Sequence, residues 1–335
     1  MTNRLELNWK LDGFVDEQRY YCSETPINPE NLPEPTAVLS GDVFTYTDSS
    51  QREIGKKYHV MISAVKNSVE KISDEKVVLF GEAWTPSNLT TAAKIWLDSD
   101  TAVAGEVSSI ANIGSIGGTF NQPAPSLRPY IVESVINGHN VMRLDGVDDI
   151  ISLVSADAGN LFRNTGKGWF FSVVKSISGY ALFDCRTPAN SARFLVRANP
   201  GVQQLNIRRL DSNTTTFVSA SAPSDFYIRF DLMDWQTATG KLRQNGLEVA
   251  SKSLGTAGLT SDTASNSNAI SFGNTYLNPV SGEYFGGDIA FAIAGSGVFP
   301  TSQEIQKLEG WAAHKYGLTA NLPSDHPYKI LVPVL

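Results

Sequence analysis

Short segments of alternating apolar and polar residues dominate the first quarter of the chain. Leu5, Leu7 and Trp9 alternate with polar residues, and residues 58–65 repeat the pattern. Successive side chains of a β-strand point to opposite faces, so this alternation indicates strands with one buried face. About seven such segments, separated by turn residues, predict a β-sandwich over residues 1–82.

Strand-like segments continue through residues 90–335, where several are longer and more apolar. Residues 168–177 form an apolar run long enough for the centre of a sheet, and Asn245-Gly246 lies between two short segments in the manner of a tight hairpin. Many strands without an internal repeat predict a two-sheet jelly roll. Residues 83–89, which include Pro86, are predicted to link the two domains.

One segment near the C-terminus departs from the strand pattern. Thr301 and Glu304 have the spacing of a capping box, and Gly317 stands where a left-handed C-cap favours glycine. The apolar residues on one helical face are Ile305, Leu308, Trp311 and Ala312. The pattern predicts one short helix at about 302–316, followed by a C-terminal tail that contains prolines and cannot continue the helix.

The composition supports an all-β class and narrows the range of partners. Charged residues make up 18% of the chain, against 27 glycines and 16 prolines, as is typical of turn-rich β proteins. The net charge of −7 argues against an extended nucleic-acid surface. The two cysteines, Cys22 and Cys185, are too few and too distant for a disulfide framework or a cysteine zinc site.

The chain also lacks the signals of export and membrane insertion. Its N-terminal residues contain no apolar core of a signal peptide, and no run approaches 18 apolar residues. We therefore expect a protein that is made in a cytoplasm, does not insert into a membrane, and stays in the cytoplasm unless it leaves as part of a larger particle.

Three aspartates form the most obvious acidic cluster, Asp145, Asp148 and Asp149. Their carboxylates could hold Ca²⁺, a hard ion that takes oxygen ligands. The alternative is that they stabilise a turn around Asp145-Gly146 and are otherwise solvated. We expect the turn role, and no cofactor other than this candidate Ca²⁺.

No catalytic constellation is evident in the sequence. Jelly-roll glycosidases need two carboxyl groups about 5–10 Å apart, usually carried on one strand as Glu-x-Asp-x-x-Glu, and the chain lacks that pattern. Asp231 and Asp234 are the nearest pair, but their spacing puts them on opposite faces of a strand. The four histidines have no partner at metal-ligand spacing, and neither a nucleophile elbow nor a phosphate loop is present. The sequence therefore predicts no catalytic residue.

Two resemblances give these predicted domains a context. Residues 1–82 resemble a fibronectin type III domain with its first strand nearly absent, through Trp9, Tyr20-Tyr21 and the alternating segment 58–65. Residues 90–335 resemble the concanavalin A-like, laminin G-type domains of bacteriophage structural proteins. The segments that carry the second resemblance are 96–98, 128–129, 141–149, 240–250, 287–290 and 310–328.

The resemblances imply a non-enzymatic bacteriophage virion protein, a tail- or fibre-associated module for particle attachment and recognition of host-surface glycan. Its implied partners are other virion proteins, further copies of itself on the particle, and the glycan. The first alternative is a capsid-decorating or other purely structural virion protein. A polysaccharide-degrading enzyme ranks lower, because the carboxylate pattern is missing.

Loop aromatics are the natural candidates for contact with a glycan. Aromatic faces pack on the C–H surfaces of sugars, and loops at the ends of a sandwich carry many binding sites. On this basis we predict glycan contacts from Tyr276, Tyr284 and Asn274. The alternative for each aromatic residue is a place in the core.

Overall fold

The computed structural model describes residues 4–50, 52–53, 56–186, 193–262, 269–275 and 279–335. It confirms the all-β class, since antiparallel sheets account for the fold of these residues, and the only α-helix among them that is longer than four residues follows the sheets near the C-terminus. The chain divides into two compact units: the first runs through Trp84 and includes Leu331–Leu335, and the second is Thr85–Ile330. None of the described helices has the length and apolar character that a membrane span requires.

The first unit pairs its strands in two antiparallel sheets. Its strands are β1 (Leu5–Asn8), β2 (Glu17–Ser23), β3 (Ala37–Ser40), β4 (Thr45–Asp48), β5 (Lys57–Lys66), β6 (Val69–Ile72) and β7 (Lys76–Leu79). The smaller sheet is β1–β4, and the larger has the order β3-β2-β5-β6, with β7 also paired to β5. Between the sheets Tyr20 is fully buried, and its hydroxyl donates a hydrogen bond to Asp48 at 3.0 Å.

The last residues of the chain group with the first unit, which differs from their predicted assignment to the C-terminal domain. Val334 forms an antiparallel bridge with Ala83, and the Trp84 N–H donates to the Pro333 carbonyl at 2.9 Å. The predicted linker 83–89 is also divided, since Trp84 belongs to the first unit and Thr85 to the second. Pairing between such distant segments leaves no local sequence pattern.

The second unit contains the other described strands and both helices. They are β8 (Ile95–Asp98), β9 (Gly105–Glu106), β10 (Ser109–Ala111), β11 (Thr119–Asn121), β12 (Tyr130–Ile136), β13 (His139–Asp145), β14 (Ile151–Val154), α1 (Ala156–Gly159), β15 (Lys167–Ser178), β16 (Ala181–Asp184), β17 (Phe194–Asn199), β18 (Val202–Ile207), β19 (Thr216–Ser221), β20 (Tyr227–Asp234), β21 (Thr239–Gln244), β22 (Leu247–Ser253), β23 (Ala269–Phe272), β24 (Gly286–Ser296) and α2 (Ser302–Lys315). Together they form a sandwich of two large sheets, as the jelly-roll prediction required.

The two sheets enclose one aromatic-rich core. One sheet has the order β10-β11-β14-β23-β16-β17-β18-β19, and the other has the order β22-β21-β20-β15-β24-β13-β12-β9, with β8 also on β24. Phe170, Phe183 and Phe272 are fully buried between them, and the ring centroids of Phe170 and Phe183 lie 4.8 Å apart. Between β21 and β22, Asn245 and Gly246 have φ angles of 49° and 87°, which confirms the predicted tight hairpin.

Helix α2 confirms the predicted C-terminal helix. The Glu304 N–H donates to the Thr301 hydroxyl at 3.2 Å and the Thr301 N–H to the Glu304 carboxylate at 2.8 Å, which completes the capping box. The helix packs on the outer face of the sheet that contains β24, where the Trp311 ring lies 4.8 Å from that of Phe291.

Candidate functional site

The acidic cluster lies on the turn that carries the chain from one sheet to the other. Strand β13 ends at Asp145 in one sheet, and β14 begins at Ile151 in the other. One Asp145 carboxylate oxygen accepts hydrogen bonds from the N–H groups of Val147, Asp148 and Asp149, at 2.8, 3.2 and 3.4 Å. Asp149 accepts in return from the Asp145 N–H at 2.9 Å. The turn chemistry expected of these aspartates is therefore present.

The same three residues can supply only part of a calcium shell. One carboxylate oxygen from each of Asp145, Asp148 and Asp149 lies within 4.8 Å of the others. Ca²⁺ takes six to eight oxygen ligands, and two of these carboxylates already accept backbone hydrogen bonds. The donor set suits Ca²⁺ in kind but falls short in number, so calcium binding stays an untested alternative to the turn role.

Burial gives the acidic turn an unusual titration. Asp149 is 8% exposed, and this burial, together with the nearby charges of Asp145 and Asp148, raises its pKa to about 6. A carboxyl group whose pKa is higher in the folded than in the unfolded state stabilises the fold fully below its unfolded pKa. That contribution is lost as the pH rises through about 6, so ionised Asp149 costs stability at neutral pH.

We predict that Asp149→Asn raises the melting temperature at pH 7.5 and leaves it almost unchanged at pH 4. The amide keeps an acceptor for the Asp145 N–H but carries no charge. Removal of the buried charge should raise the free energy of unfolding at neutral pH by up to about 3 kcal/mol. Thermal unfolding at the two pH values measures the difference, and Asp325→Asn, at an exposed aspartate, is the control. Stabilisation of the wild type by millimolar CaCl₂ that the Asp149→Asn variant lacked would instead identify a calcium site.

A second polar group lies beside this turn, where the segment 283–285 runs along the residues that precede β16. Ala181 and Tyr284 form a parallel bridge, and the Ala181 N–H donates to the Glu283 carbonyl at 3.0 Å. Gly179, with φ of 72°, lies so close that a Cβ would meet the Tyr284 carbonyl oxygen at 1.4 Å. Only glycine permits this approach, which brings the tyrosines at 180 and 284 to the same end of the sandwich.

Four side chains at this end form what we call the rim patch: Tyr180, Arg197, Glu283 and Tyr284. The Arg197 guanidinium carbon lies 5.3 Å from the centre of the Tyr180 ring and its Nη2 donates to Glu283 at 2.9 Å. Tyr180 is 40% exposed, whereas the other three are half-buried. Burial, and then the negative charge of Asp148, raise the pKa of Tyr284, so this tyrosine connects the rim patch with the acidic turn.

A buried ion pair supports the rim patch from below. Arg186, 3% exposed, donates to Asp184 at 2.6 Å and to the second oxygen of Glu283 at 2.5 Å. The hydroxyl of Thr275 also donates to Asp184, at 3.0 Å. Because Glu283 is held by Arg186 on one side and Arg197 on the other, its carboxylate has a defined position at the surface.

The three residues predicted to contact glycan differ in where the structure places them. Tyr284 is in the rim patch, and Tyr276 lies outside the described residues. Asn274 is fully buried, where its side chain accepts from the Thr275 N–H at 2.7 Å and from Arg186 at 3.2 Å and donates to the Val280 carbonyl at 3.0 Å. It holds its own loop together and does not present its amide to solvent.

Sequence reasoning missed the charged members of the rim patch and the buried arginine below them. Arg186, Arg197 and Glu283 are distant in sequence and meet only because β16 pairs with β17 and with segment 283–285. The only local signal is an Asp-x-Arg sequence directly after an apolar strand. Two further aromatics near the ends of strands, Trp235 and Phe285, are fully buried core residues.

The carboxylates considered for catalysis are structural in the described residues. Asp231 is fully buried and forms an ion pair with Arg229 at 2.7 Å. Asp234 accepts from the N–H groups of Gln236 and Thr237, at 2.9 and 3.2 Å, and so closes the β20–β21 turn. The pair therefore does not face a common space.

Three of the four histidines are likewise each in contact with a separate acceptor, and His326 lies 3.5 Å from Glu309. His59 lies 2.9 Å from Glu75, and His139 lies 2.8 Å from Asp100. His314 contacts the Tyr328 carbonyl at 3.0 Å. The described residues bring no two histidines together as metal ligands.

Comparison with known proteins gives similarities of fold only. No protein-family model and no curated protein matches the chain. Among solved structures, the carbohydrate-binding module CBM40 of the Ruminococcus gnavus IT-sialidase, bound to α2,3-sialyllactose, is 17% identical with a TM-score of 0.34, covering 42% of this chain and 80% of its own. A botulinum neurotoxin type C structure, whose cell entry depends on two ganglioside molecules, is 9% identical with a TM-score of 0.39, covering 61% and 50%. The leech intramolecular trans-sialidase is 15% identical with a TM-score of 0.37, covering 50% and 26%. Similarities this low carry no argument about activity.

Proposed function

We propose that this protein recognises glycan without cleaving it, as a tail- or fibre-associated module of a bacteriophage particle. The observation that carries the recognition is the rim patch, where the half-exposed Tyr180 ring stands beside Arg197 and Glu283. An aromatic face offers a sugar a surface for its C–H groups, and the two charged side chains offer a donor and an acceptor for its hydroxyl groups.

The ion pairs of the patch also reduce the cost of binding. Glu283 is already oriented by Arg186 and Arg197, so little side-chain freedom is lost when a hydroxyl group approaches it. Arg197 Nε is buried and has no acceptor among the described residues, whereas its Nη2 is held by Glu283. A preorganised polar group beside an exposed ring is typical of a shallow recognition site.

The non-enzymatic part of the proposal rests on how the rim-patch carboxylate and the buried carboxylate below it are engaged. Glycoside hydrolysis needs two carboxyl groups on opposite sides of the scissile bond, with room for substrate or water between them. Asp184 and Glu283 are instead bonded to the same guanidinium, that of Arg186. They support one surface and do not flank a cleft.

The particle context comes from the resemblance of residues 90–335 to laminin G-type domains of bacteriophage structural proteins. Several copies on one particle would bind a repetitive polysaccharide with avidity, so weak binding by each rim patch is sufficient. A capsid-decorating role, in which both units make only protein contacts, is the alternative. Localisation of the protein on particles by electron microscopy separates the two.

We predict that Tyr180→Ala and Tyr284→Ala each weaken retention on host capsule or lipopolysaccharide, whereas Phe217→Ala does not. Removal of an aromatic contact at the centre of a site costs about 2 kcal/mol, or about 30-fold in affinity. Phe217 is a comparably exposed aromatic residue, 45% exposed, on edge strand β19 of the same sheet. Purified protein immobilised at high density is incubated with each polysaccharide, and retention and new reducing ends are measured.

Two results would contradict this proposal. New reducing ends that persist after repurification would identify an enzyme. Absence of retention across several host polysaccharides would favour the decorating role.

A further inference from the structure

The smaller sheet of the first unit has an open edge. Strand β1 pairs with β4 from Leu5 opposite Asp48 to Asn8 opposite Thr45, and it has no other strand partner among the described residues. Along an antiparallel edge, every second residue directs its N–H and C=O away from the sheet. The free edge of β1 is therefore a row of unpaired backbone donors and acceptors, which is the template for an added strand.

A groove runs along this edge. Two adjoining depressions of about 430 and 580 Å³ separate β1 from β6 and β7, and both are lined by Trp9 and Ile62. Leu7, Ile62 and Val78 face the core of the unit but are only half-buried. In a closed sandwich such inward-facing residues are covered on both sides, so the groove exposes apolar surface that one more strand would bury.

The charge of the groove differs from that of the unit around it. Residues 1–83 carry nine basic and fourteen acidic groups, yet the groove is lined by four lysines and three carboxylates. The lysines are Lys10, Lys66, Lys71 and Lys76, all exposed. No ion pair of these lysines occurs among the described residues, so the groove is a locally basic site in an acidic unit.

We propose that the free edge of β1 binds an extended strand of a partner protein, with apolar residues at alternate positions and acidic residues between them. The main-chain groups of β1 provide the hydrogen bonds, Leu7, Ile62 and Val78 receive the apolar side chains, and the lysines select the acidic ones. A second copy of β1 is a poorer occupant, because the groove lysines of the second copy would lie close to those of the first and repel them. The inference assigns an assembly surface to the first unit and is independent of glycan binding by the second.

The test uses the full chain and a labelled synthetic peptide, acetyl-Glu-Val-Thr-Val-Glu-Val-Glu-amide, in fluorescence polarisation. We expect binding in the micromolar range, and binding at least tenfold weaker for the peptide in which lysine replaces each glutamate. Only alternate residues of an added strand bond to β1. We therefore compare one peptide N-methylated at its even residues with one N-methylated at its odd residues. One of the two should bind at least tenfold more weakly than the unmethylated peptide, and the other should be affected less.

Variants of the protein check the charge argument without disturbing the core. The double variant Lys71→Glu, Lys76→Glu should bind the acidic peptide at least tenfold more weakly than the wild type and should bind the lysine peptide more tightly than the acidic one. Lys57→Glu, at an exposed lysine that does not line the groove, should change neither. No binding of the acidic peptide, equal binding of both N-methylated peptides, or equal binding of the acidic and lysine peptides would overturn the proposal. A dimer in sedimentation velocity that excludes the peptide would show that a second copy takes the edge, and would overturn it too.

Discussion

Asp231→Ala is expected to lower the free energy of unfolding by about 3–5 kcal/mol, the cost of leaving a buried charge without its partner. Arg229 and Asp231 are both fully buried, and the guanidinium donates to both carboxylate oxygens, at 2.7 and 2.8 Å. Arg229 also donates to the Arg197 carbonyl at 2.6 Å and to the Gln204 carbonyl at 2.9 Å. The change therefore leaves the buried guanidinium of Arg229, which connects β20 to β17 and β18, without its counter-ion.

The double variant Arg229→Met, Asp231→Leu distinguishes loss of the pair from loss of packing. It removes both charges and keeps apolar volume, so we expect it to recover most of the stability that Asp231→Ala loses. Urea denaturation followed by tryptophan fluorescence gives both values. A single variant as stable as the wild type would show that the pair contributes little.

Leu308→Ala is expected to cost about 2–5 kcal/mol, as for other buried leucines. Leu308 is fully buried on the sheet-facing side of α2, whereas Trp311, predicted to lie on the same helical face, is only half-buried against Phe291. Trp311→Ala should accordingly cost less than truncation of a fully buried tryptophan. Gln306→Ala, at an exposed position of the same helix, is the control and should leave the melting temperature nearly unchanged. If Leu308→Ala and Gln306→Ala melted alike, α2 would contribute little to the unit.

Elements whose signals are local could be predicted closely. The capping box at Thr301 and Glu304 depends on residues three apart, and the structure begins α2 at Ser302. The Asn245-Gly246 turn needs two positive φ angles, which these residue types adopt readily. The acidic turn is also local, because Asp145 bonds the three N–H groups that follow it within four residues.

The candidate sites depend on pairings that no local pattern records. Asn274 looked like a polar loop residue, yet its surroundings bury it, because Arg186 comes from the β16–β17 connection. In the rim patch, Arg197 and Glu283 form their ion pair only because β16 has two neighbours, β17 on one side and the segment 283–285 on the other. The exposure of a polar residue depends on which segments pack over it. The secondary-structure propensity of the residue carries no information about those segments.

The sequence by itself determined the alternating strands of the first unit, the long apolar strand at 168–177, where α2 starts and where the tight hairpin turns, since periodicity, capping and backbone preference act over a few residues. Only the tertiary structure decided that the acidic turn joins two sheets and that Tyr284 comes within reach of the charge of Asp148. It also left β1 with one edge that has no strand partner among the described residues. Those outcomes depend on strand order, and strand order is set by which faces bury the most apolar surface together, a property of the whole chain.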